Sequence, residues 1–446
     1  MNKILSFFAT GEDIEPIQDQ ATIDRLYKKY RLKVMLAITV GYGFAYPLRL
    51  AMNVVKKPLI DSGVFSAMDL GNIGSALLYA YALGKLTNGF LADHANVKRF
   101  FAFGVLMSAI VNIAMGWSTV LWIWIILWGF NGWFQGYGAP TGAVSLSNWY
   151  SNKERGLYYG IWSTAHAIGE GLTFVVTASI VSFWGWRAGF IGPGLFSIFV
   201  AYAIYLVMQD RPQTLGLPSI ADWKNDHGAE DNKHANTRDA QKIILKSPAI
   251  WILGIASASM YMTRYAINSW GILYLQEAKG YSLIEAGGIL GLNTLAGIIG
   301  CVAYGWISDK YFGAKRPPVT LLFGVIEIMA LVVIFYLAPG HPIILTSAFF
   351  IYGFTLSGLL AALGGLFAID IAPKKAAGAA MGVIGVFSYI GAGLQDQISG
   401  FLIDKNSMLV DGVMQYDFST VIVYWIGSSI VSMILASTLW KIKVRE

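Results

Sequence analysis

The chain has 446 residues, is 56% hydrophobic and 13% charged, and carries 49 glycines, one cysteine and a net charge of +6. Soluble domains carry about 25% charged residues, so this balance excludes one and points to an integral membrane protein. The single cysteine, Cys301, excludes an internal disulfide and any cysteine-based metal cluster.

Apolar runs of ~20 residues, the length a helix needs to cross a bilayer core of ~30 Å, recur along nearly the whole chain. In chain order they predict twelve helical spans near 34–56, 68–92, 99–117, 120–148, 156–183, 187–208, 249–275, 284–308, 318–338, 342–370, 377–404 and 418–440. The first 33 residues hold acids and bases without an apolar core, so no cleavable signal peptide is expected and the first span serves as the insertion signal.

With the N-terminus in the cytoplasm, 24 of the Lys and Arg residues fall in cytoplasmic segments. Five, Lys56, Lys57, Arg187, Lys279 and Lys405, fall in the opposite loops. By the positive-inside rule both ends are cytoplasmic. The expected organisation is an N-terminal segment 1–33, a six-helix bundle 34–208, a cytoplasmic linker 209–248, a second six-helix bundle 249–440 and a tail 441–446. The charge thus reflects topology, and nucleic acid is not an expected partner.

The two halves repeat one another, as carrier folds commonly do. GFLADHANVKR (Gly89 to Arg99) follows the second span and GWISDKYFGAKR (Gly305 to Arg316) the eighth, with Asp93 and Asp309 at matching places. GLYYGIWSTAHAIGEGL in span five is echoed by GAAMGVIGVFSYIGAGL in span eleven. The fold expected is all-α, two pseudo-symmetric six-helix bundles around a central cavity.

Within that repeat, Arg49 in span one has a counterpart, Arg264, at the corresponding place in span seven. A central arginine costs ~2.5–3.5 kcal/mol on insertion scales, so a matched pair is not expected by chance, although either one alone could snorkel or pair with a structural acid. Tyr42, Tyr46, Arg49 and Asn53 share one helix face, and Tyr261, Arg264, Tyr265 and Asn268 repeat the pattern. Span two adds Tyr81 and Lys85, and span five adds His166. Fixed cations with little anionic compensation beside them call for an anion, and guanidinium is shaped for bidentate contact with phosphate or carboxylate.

Three acids also fall within spans, Glu170, Glu327 and Asp396, and each could pair with a base or carry a proton. Glu170 and Asp396 are the candidates for coupling. Asp93 and Arg99, with their echoes Asp309 and Arg316, lie at cytoplasmic helix ends, where gating between helices is expected. No nucleotide-binding glycine loop, metal-ligand cluster or nucleophile constellation is present, so no enzyme, cofactor or ATP-driven pump is expected.

Two six-helix halves with GFLADHANVKR and its echo resemble the major facilitator superfamily. Within it, YGFAYPLR, YAYALGKLTNGFLAD, FNGWFQGYGAP, WYSNKERG, STAHAIG, DRPQTLGLP and YMTRYAINSWGILYL resemble the organophosphate:phosphate antiporter family, almost over the full length. That family includes bacterial glycerol-3-phosphate and hexose-phosphate transporters and the related hexose-phosphate receptor. The resemblance implies that Arg49 and Arg264 bind a phosphate moiety, with Lys85, His166, Tyr42, Tyr46, Tyr81 and Tyr261 around it. It implies exchange of a phosphorylated metabolite for inorganic phosphate by rocking of the two halves.

The chain departs from the family at three charged places. Leu50 stands where a lysine usually follows the first arginine, Ser269 where an aspartate follows the second, and Thr294 where span eight has a glutamate. Glu170 stands where the family pattern has glycine. The leading expectation is a monomeric carrier of a phosphate ester, a sugar phosphate first, against inorganic phosphate, in a bacterial-type cytoplasmic membrane. The alternatives are a proton-coupled carrier of another polyanion such as a polycarboxylate, and a sugar-phosphate-sensing receptor.

Overall fold

The computed structural model describes residues 3–226, 246–313, 315–367, 371, 377–410 and 413–441. A short helix α1 (Lys3–Phe8) precedes the first half, which holds α2 (Gln20–Asp61), α3 (Ala67–His94), α4 (Val97–Trp117), α5 (Leu121–Gln135), α6 (Gly138–Trp149) and α7 (Asn152–Val207). A 3₁₀ turn (Pro212–Leu215) and α8 (Ile220–Lys224) follow. The second half holds α9 (Pro248–Lys279), α10 (Leu283–Phe312), α11 (Arg316–Tyr336), α12 (Pro342–Ala361), α13 (Ala377–Asn406) and α14 (Ser419–Thr438). A two-stranded hairpin, β1 (Met408–Val410) against β2 (Val413–Gln415), joins α13 to α14.

Local sequence explains the helix boundaries. Ser66 with Asp69, Ser151 with Glu154 and Ser282 with Glu285 form reciprocal capping boxes at the starts of α3, α7 and α10, each satisfying two orphan backbone groups. The predicted span 120–148 is two helices, α5 and α6, parted at Gly136 and Tyr137. The predicted fifth and sixth spans run together in α7, broken only at Gly185, whose positive φ is a conformation that glycine adopts without a Cβ penalty. Helix α2 has 42 residues, where ~20 suffice to cross a bilayer core, so it extends well beyond one.

Seven helices among the described residues are long and apolar enough to cross a membrane by hydropathy alone. Helices α3, α9 and α13 fall outside that set because they bury polar groups such as Asn88, Ser257, Asn268, Gln395 and Asp396 towards other helices. Their outer neighbours turn large apolar side chains outwards: Trp184, Phe199, Val302 and Ile343 are all at least 70% exposed. That surface suits hydrocarbon, not water.

The halves meet through symmetry-related helix pairs. Helix α3 packs on α13, and its repeat mate α10 packs on α7; α2 and α9 touch across the axis. Contact is tightest at the ends away from the chain termini, where a Cβ on Gly71 would lie 2.6 Å from the Asp396 carbonyl and one on Gly287 2.6 Å from that of Phe174. Towards the face that carries both chain ends the halves part: Gly89, Gly160, Gly305, Gly382 and Gly385 have open space beside them. A cleft of about 370 Å³, lined by Lys85, Leu86, Pro140, Val144, Met381 and Val386, opens there between α3, α6 and α13.

Candidate functional site

The site begins with one face of α2. Tyr42, Tyr46, Arg49, Asn53 and Lys56 follow one another at helical spacing, and all are buried. The Arg49 guanidinium carbon lies 4.7 Å from the Tyr46 ring centre and 4.6 Å from that of Tyr81 on α3. Its Nε and Nη2 are buried without a hydrogen-bond partner. Leaving such groups unmade costs far more than a typical hydrogen bond returns, and cation–π contact offsets only ~2 kcal/mol of it.

Aromatic rings enclose this cation. Tyr42 stands edge-on to Tyr46 at 5.6 Å and tilts against Trp162 of α7 at 5.1 Å. Tyr81 meets Tyr389 of α13 at 4.6 Å, and Tyr389 meets Tyr261 of α9 at 5.5 Å, so a chain of tyrosines crosses from one half to the other. The Lys85 ammonium lies 5.8 Å from Tyr81 and 5.2 Å from Tyr389, at the cleft wall. His166 sits 6.1 Å from the Tyr46 ring, with Nδ1 2.6 Å from the Ser163 carbonyl. An Nδ1–H donated to that carbonyl leaves Nε2 as an acceptor.

Arg264 lies across from Arg49 but in a different state. Its Nη2 is 2.8 Å from Oε2 of Glu170, and Asn268 donates to the other oxygen of that carboxylate. The expectation of cations with little anionic compensation is therefore corrected for Arg264, which Glu170 already neutralises. The structure brings Tyr42, Tyr46, Arg49, Tyr81, Lys85, His166, Glu170, Tyr261 and Arg264 into one connected cluster.

Asp396 lies elsewhere. It forms a buried ion pair with Lys56, 3.1 Å long, and the Ser269 hydroxyl lies 2.8 Å from the Lys56 ammonium and 2.6 Å from the Asp396 carboxylate. Lys56 also sits 3.4 Å over the Trp270 ring. These residues join α2 of one half to α9 and α13 of the other, and Lys57 of α2 adds a second tie, to Glu277 of α9. The assignment of Lys56 to a loop is thus wrong: it is 1% exposed, inside α2. Its spacing from Asn53 and Arg49 on one helix face was the signal that could have found it.

Each of the three departures has its own surroundings. Leu50 is buried among apolar neighbours, and Thr294 bonds back to the Leu290 carbonyl. Ser269 touches both Lys56 and Asp396. The acid beside Ser269 is Asp396 from α13, and its partner base is Lys56, six residues after Leu50 on α2.

Of the gating candidates, Asp309 and Arg316 pair at 2.8 Å between the end of α10 and the start of α11, and Arg316 also reaches the Ser308 hydroxyl. Arg99 donates to the Phe7 carbonyl at 2.7 Å and stacks on that ring, tying α4 to α1. The side chain of Asp93 lies outside the described residues. Sequence reasoning missed Tyr389, although it directly follows Ser388, the repeat mate of His166.

The model of the Major Facilitator Superfamily matches residues 26–395. The Membrane sensor protein UhpC of Salmonella typhimurium is 33% identical over 88% of this chain and 89% of its own length. A Glycerol-3-phosphate transporter of Bacillus subtilis is 36% identical over 90% and 92%, and a Probable hexose phosphate transport protein of Chlamydia pneumoniae 32% over 88% and 89%. Among solved structures, a bacterial homologue of the human lysosomal transporter Spinster superposes with a TM-score of 0.74 at 18% identity, covering 93% of this chain and 95% of the other. The symmetric bundles, the paired arginines and these likenesses agree: this multi-pass membrane protein belongs to the major facilitator superfamily, in its organophosphate:phosphate antiporter family.

Proposed function

We propose that the protein is a secondary carrier that binds the phosphate group of a small phosphorylated metabolite, a sugar phosphate first, between Arg49 and Arg264. Inorganic phosphate is the counter-substrate. The observation that carries this reading is Arg49: a buried guanidinium against the Tyr46 and Tyr81 rings, whose Nε and Nη2 have no hydrogen-bond partner. A phosphate oxygen pair completes that fork, and each charge-assisted bond contributes about 1.5–3 kcal/mol. Lys85 at the cleft wall adds a point charge, the His166 Nε2 a donor or acceptor, and the tyrosines O–H donors. The relatives named as hexose-phosphate and glycerol-3-phosphate transporters support the same substrate class.

Alternating access supplies the transport step. The halves touch at one end and part at the other, and rocking about α2, α3, α7, α9, α10 and α13 exposes the chamber to each side in turn. The open cleft faces the cytoplasm if the bases on the terminal face follow the positive-inside rule. Asp309 with Arg316, and Arg99 with the Phe7 carbonyl, act as ties at that face. Segment 209–248 joins the two bundles.

Sensing is a second reading, favoured by the likeness to a membrane sensor protein. Flux separates the two. Proteoliposomes loaded with phosphate should take up labelled phosphate, and glucose 6-phosphate should inhibit that uptake while citrate does not. Absence of uptake together with ligand-induced thermal stabilisation would favour the sensor, and inhibition by citrate alone would favour a polycarboxylate carrier.

A further inference from the structure

The two symmetric arginines are unequal. Arg49 is surrounded by tyrosine rings and keeps two N–H positions unpartnered. Arg264 holds the carboxylate of Glu170, whose second oxygen accepts from Asn268. Glu170 is 4% exposed and belongs to α7 in one half, whereas Arg264 and Asn268 belong to α9 in the other. The carboxylate therefore sits on one side of the anion site and presents two oxygens to the opposite half, as a bound phosphate would.

We propose that Glu170 is a built-in counter-anion that stands in for phosphate on Arg264 and lets the empty carrier reorient, so that net one-way transport accompanies exchange. This role rests on the phosphate-carrier reading above.

In the occluded state between the two open ones, water is excluded from the chamber and an unpaired guanidinium is most unfavourable. In a carrier whose site holds two unpaired arginines, return without cargo strands both, which confines such a carrier to exchange. Here the empty chamber strands one, and that one rests between the Tyr46 and Tyr81 rings.

Position favours this role over a structural ion pair within a bundle. The next residue, Gly171, faces Gly291 of α10, 3.3 Å from a Cβ at 171 to the Gly291 carbonyl, so Glu170 lies where the two halves touch. Arg264 keeps 17% side-chain exposure, leaving it open to an incoming anion. A ligand that takes Arg49 first then competes with Glu170 for Arg264. The basic groups near that exchange are His166, one turn before Glu170 on α7, and Arg49, which shares the Tyr46 ring with His166.

The test compares two loads in proteoliposomes, with potassium and valinomycin clamping the potential. Labelled inorganic phosphate outside is offered to vesicles holding either phosphate or phosphate-free buffer. Wild type should fill the phosphate-free vesicles at a rate within about tenfold of exchange, and in Glu170→Gln the ratio of net uptake to exchange should fall about tenfold or more. Glu170→Asp, which keeps the charge, should recover part of that ratio. Exchange without net uptake in wild type overturns the proposal with no variant needed, as does an unchanged ratio in Glu170→Gln. Neither flux in wild type would remove the carrier reading itself, a failure distinct from loss of the net mode alone.

Discussion

Asp396→Asn tests how the halves are held together. Asp396 and Lys56 are 2% and 1% exposed and 3.1 Å apart, on α13 and α2 of opposite halves. At an effective dielectric of ~20, a pair at that distance attracts by about 5 kcal/mol. Removing one partner of a buried pair costs about 3–5 kcal/mol, because the other charge stays buried. The amide fits the same space but leaves the Lys56 ammonium with the Ser269 hydroxyl and the Trp270 ring.

The loss falls on this conformation, since rocking to the other state would carry Lys56 away from α13 and into water. The equilibrium should therefore move by ~10²–10⁴ towards the state open on the opposite face. Spin labels at Ser62 and Met408, both exposed at that face, in a Cys301→Ser background, read the separation of the halves. Asp396→Asn should convert a short distance into a longer one and lower the Tm. Lys56→Met with Asp396→Leu removes both charges and should return much of the thermal stability. A distance distribution and Tm unchanged by Asp396→Asn would refute the reasoning.

Two further outcomes follow from packing and charge. A Cβ at Gly300 would sit 1.8 Å from the Phe354 carbonyl between α10 and α12, so Gly300→Ala should destabilise by about 1–3 kcal/mol in a thermal-shift measurement. Gly305→Ala, with nothing within 4 Å, should change the Tm little. Lys85→Ala removes a point charge at the cleft wall without opening the tyrosine cluster, and should raise the KM for phosphate about tenfold with a smaller change in maximal rate.

Much of the fold was legible because hydropathy and repetition report it directly. A run such as Leu121 to Gln135 can only be buried in lipid or protein, and an Asp93–Asp309 echo fixes the two-half plan. Breaks inside apolar runs were not legible. The parting at Gly136 and Tyr137 leaves hydropathy unchanged, and Gly185 is one glycine among many. Within the polar stretch 209–248, Trp223 stacks on Tyr27 at 4.1 Å, and Tyr27 donates to the Pro218 carbonyl, docking α8 on the extended start of α2, a contact that hydropathy does not report.

In the site, Arg49, Arg264 and their tyrosines were legible because a cation in an apolar helix is costly and its repetition is improbable. Lys56 was legible only in its spacing from Arg49 and Asn53, a signal that is masked because a base near the end of a span reads equally well as a loop residue. The pairing of Glu170 with Arg264 depends on how α7 and α9 face each other, which no spacing within either helix encodes. The same holds for Asp396, whose partner is distant in sequence and belongs to the other half. Ser269 read as a missing charge; in place, it bridges a base and an acid drawn from two other helices.

The central claim is that Arg49 grips a phosphate through its fork. It is tested most directly by phosphate exchange in proteoliposomes, wild type against Arg49→Lys, with thermal stability as a control on folding. The substitution keeps the charge and loses the paired donors, two bonds of about 1.5 kcal/mol each, so exchange at subsaturating phosphate should drop ~100-fold. An Arg49→Lys protein that is folded and exchanges phosphate at the wild-type rate would contradict the account.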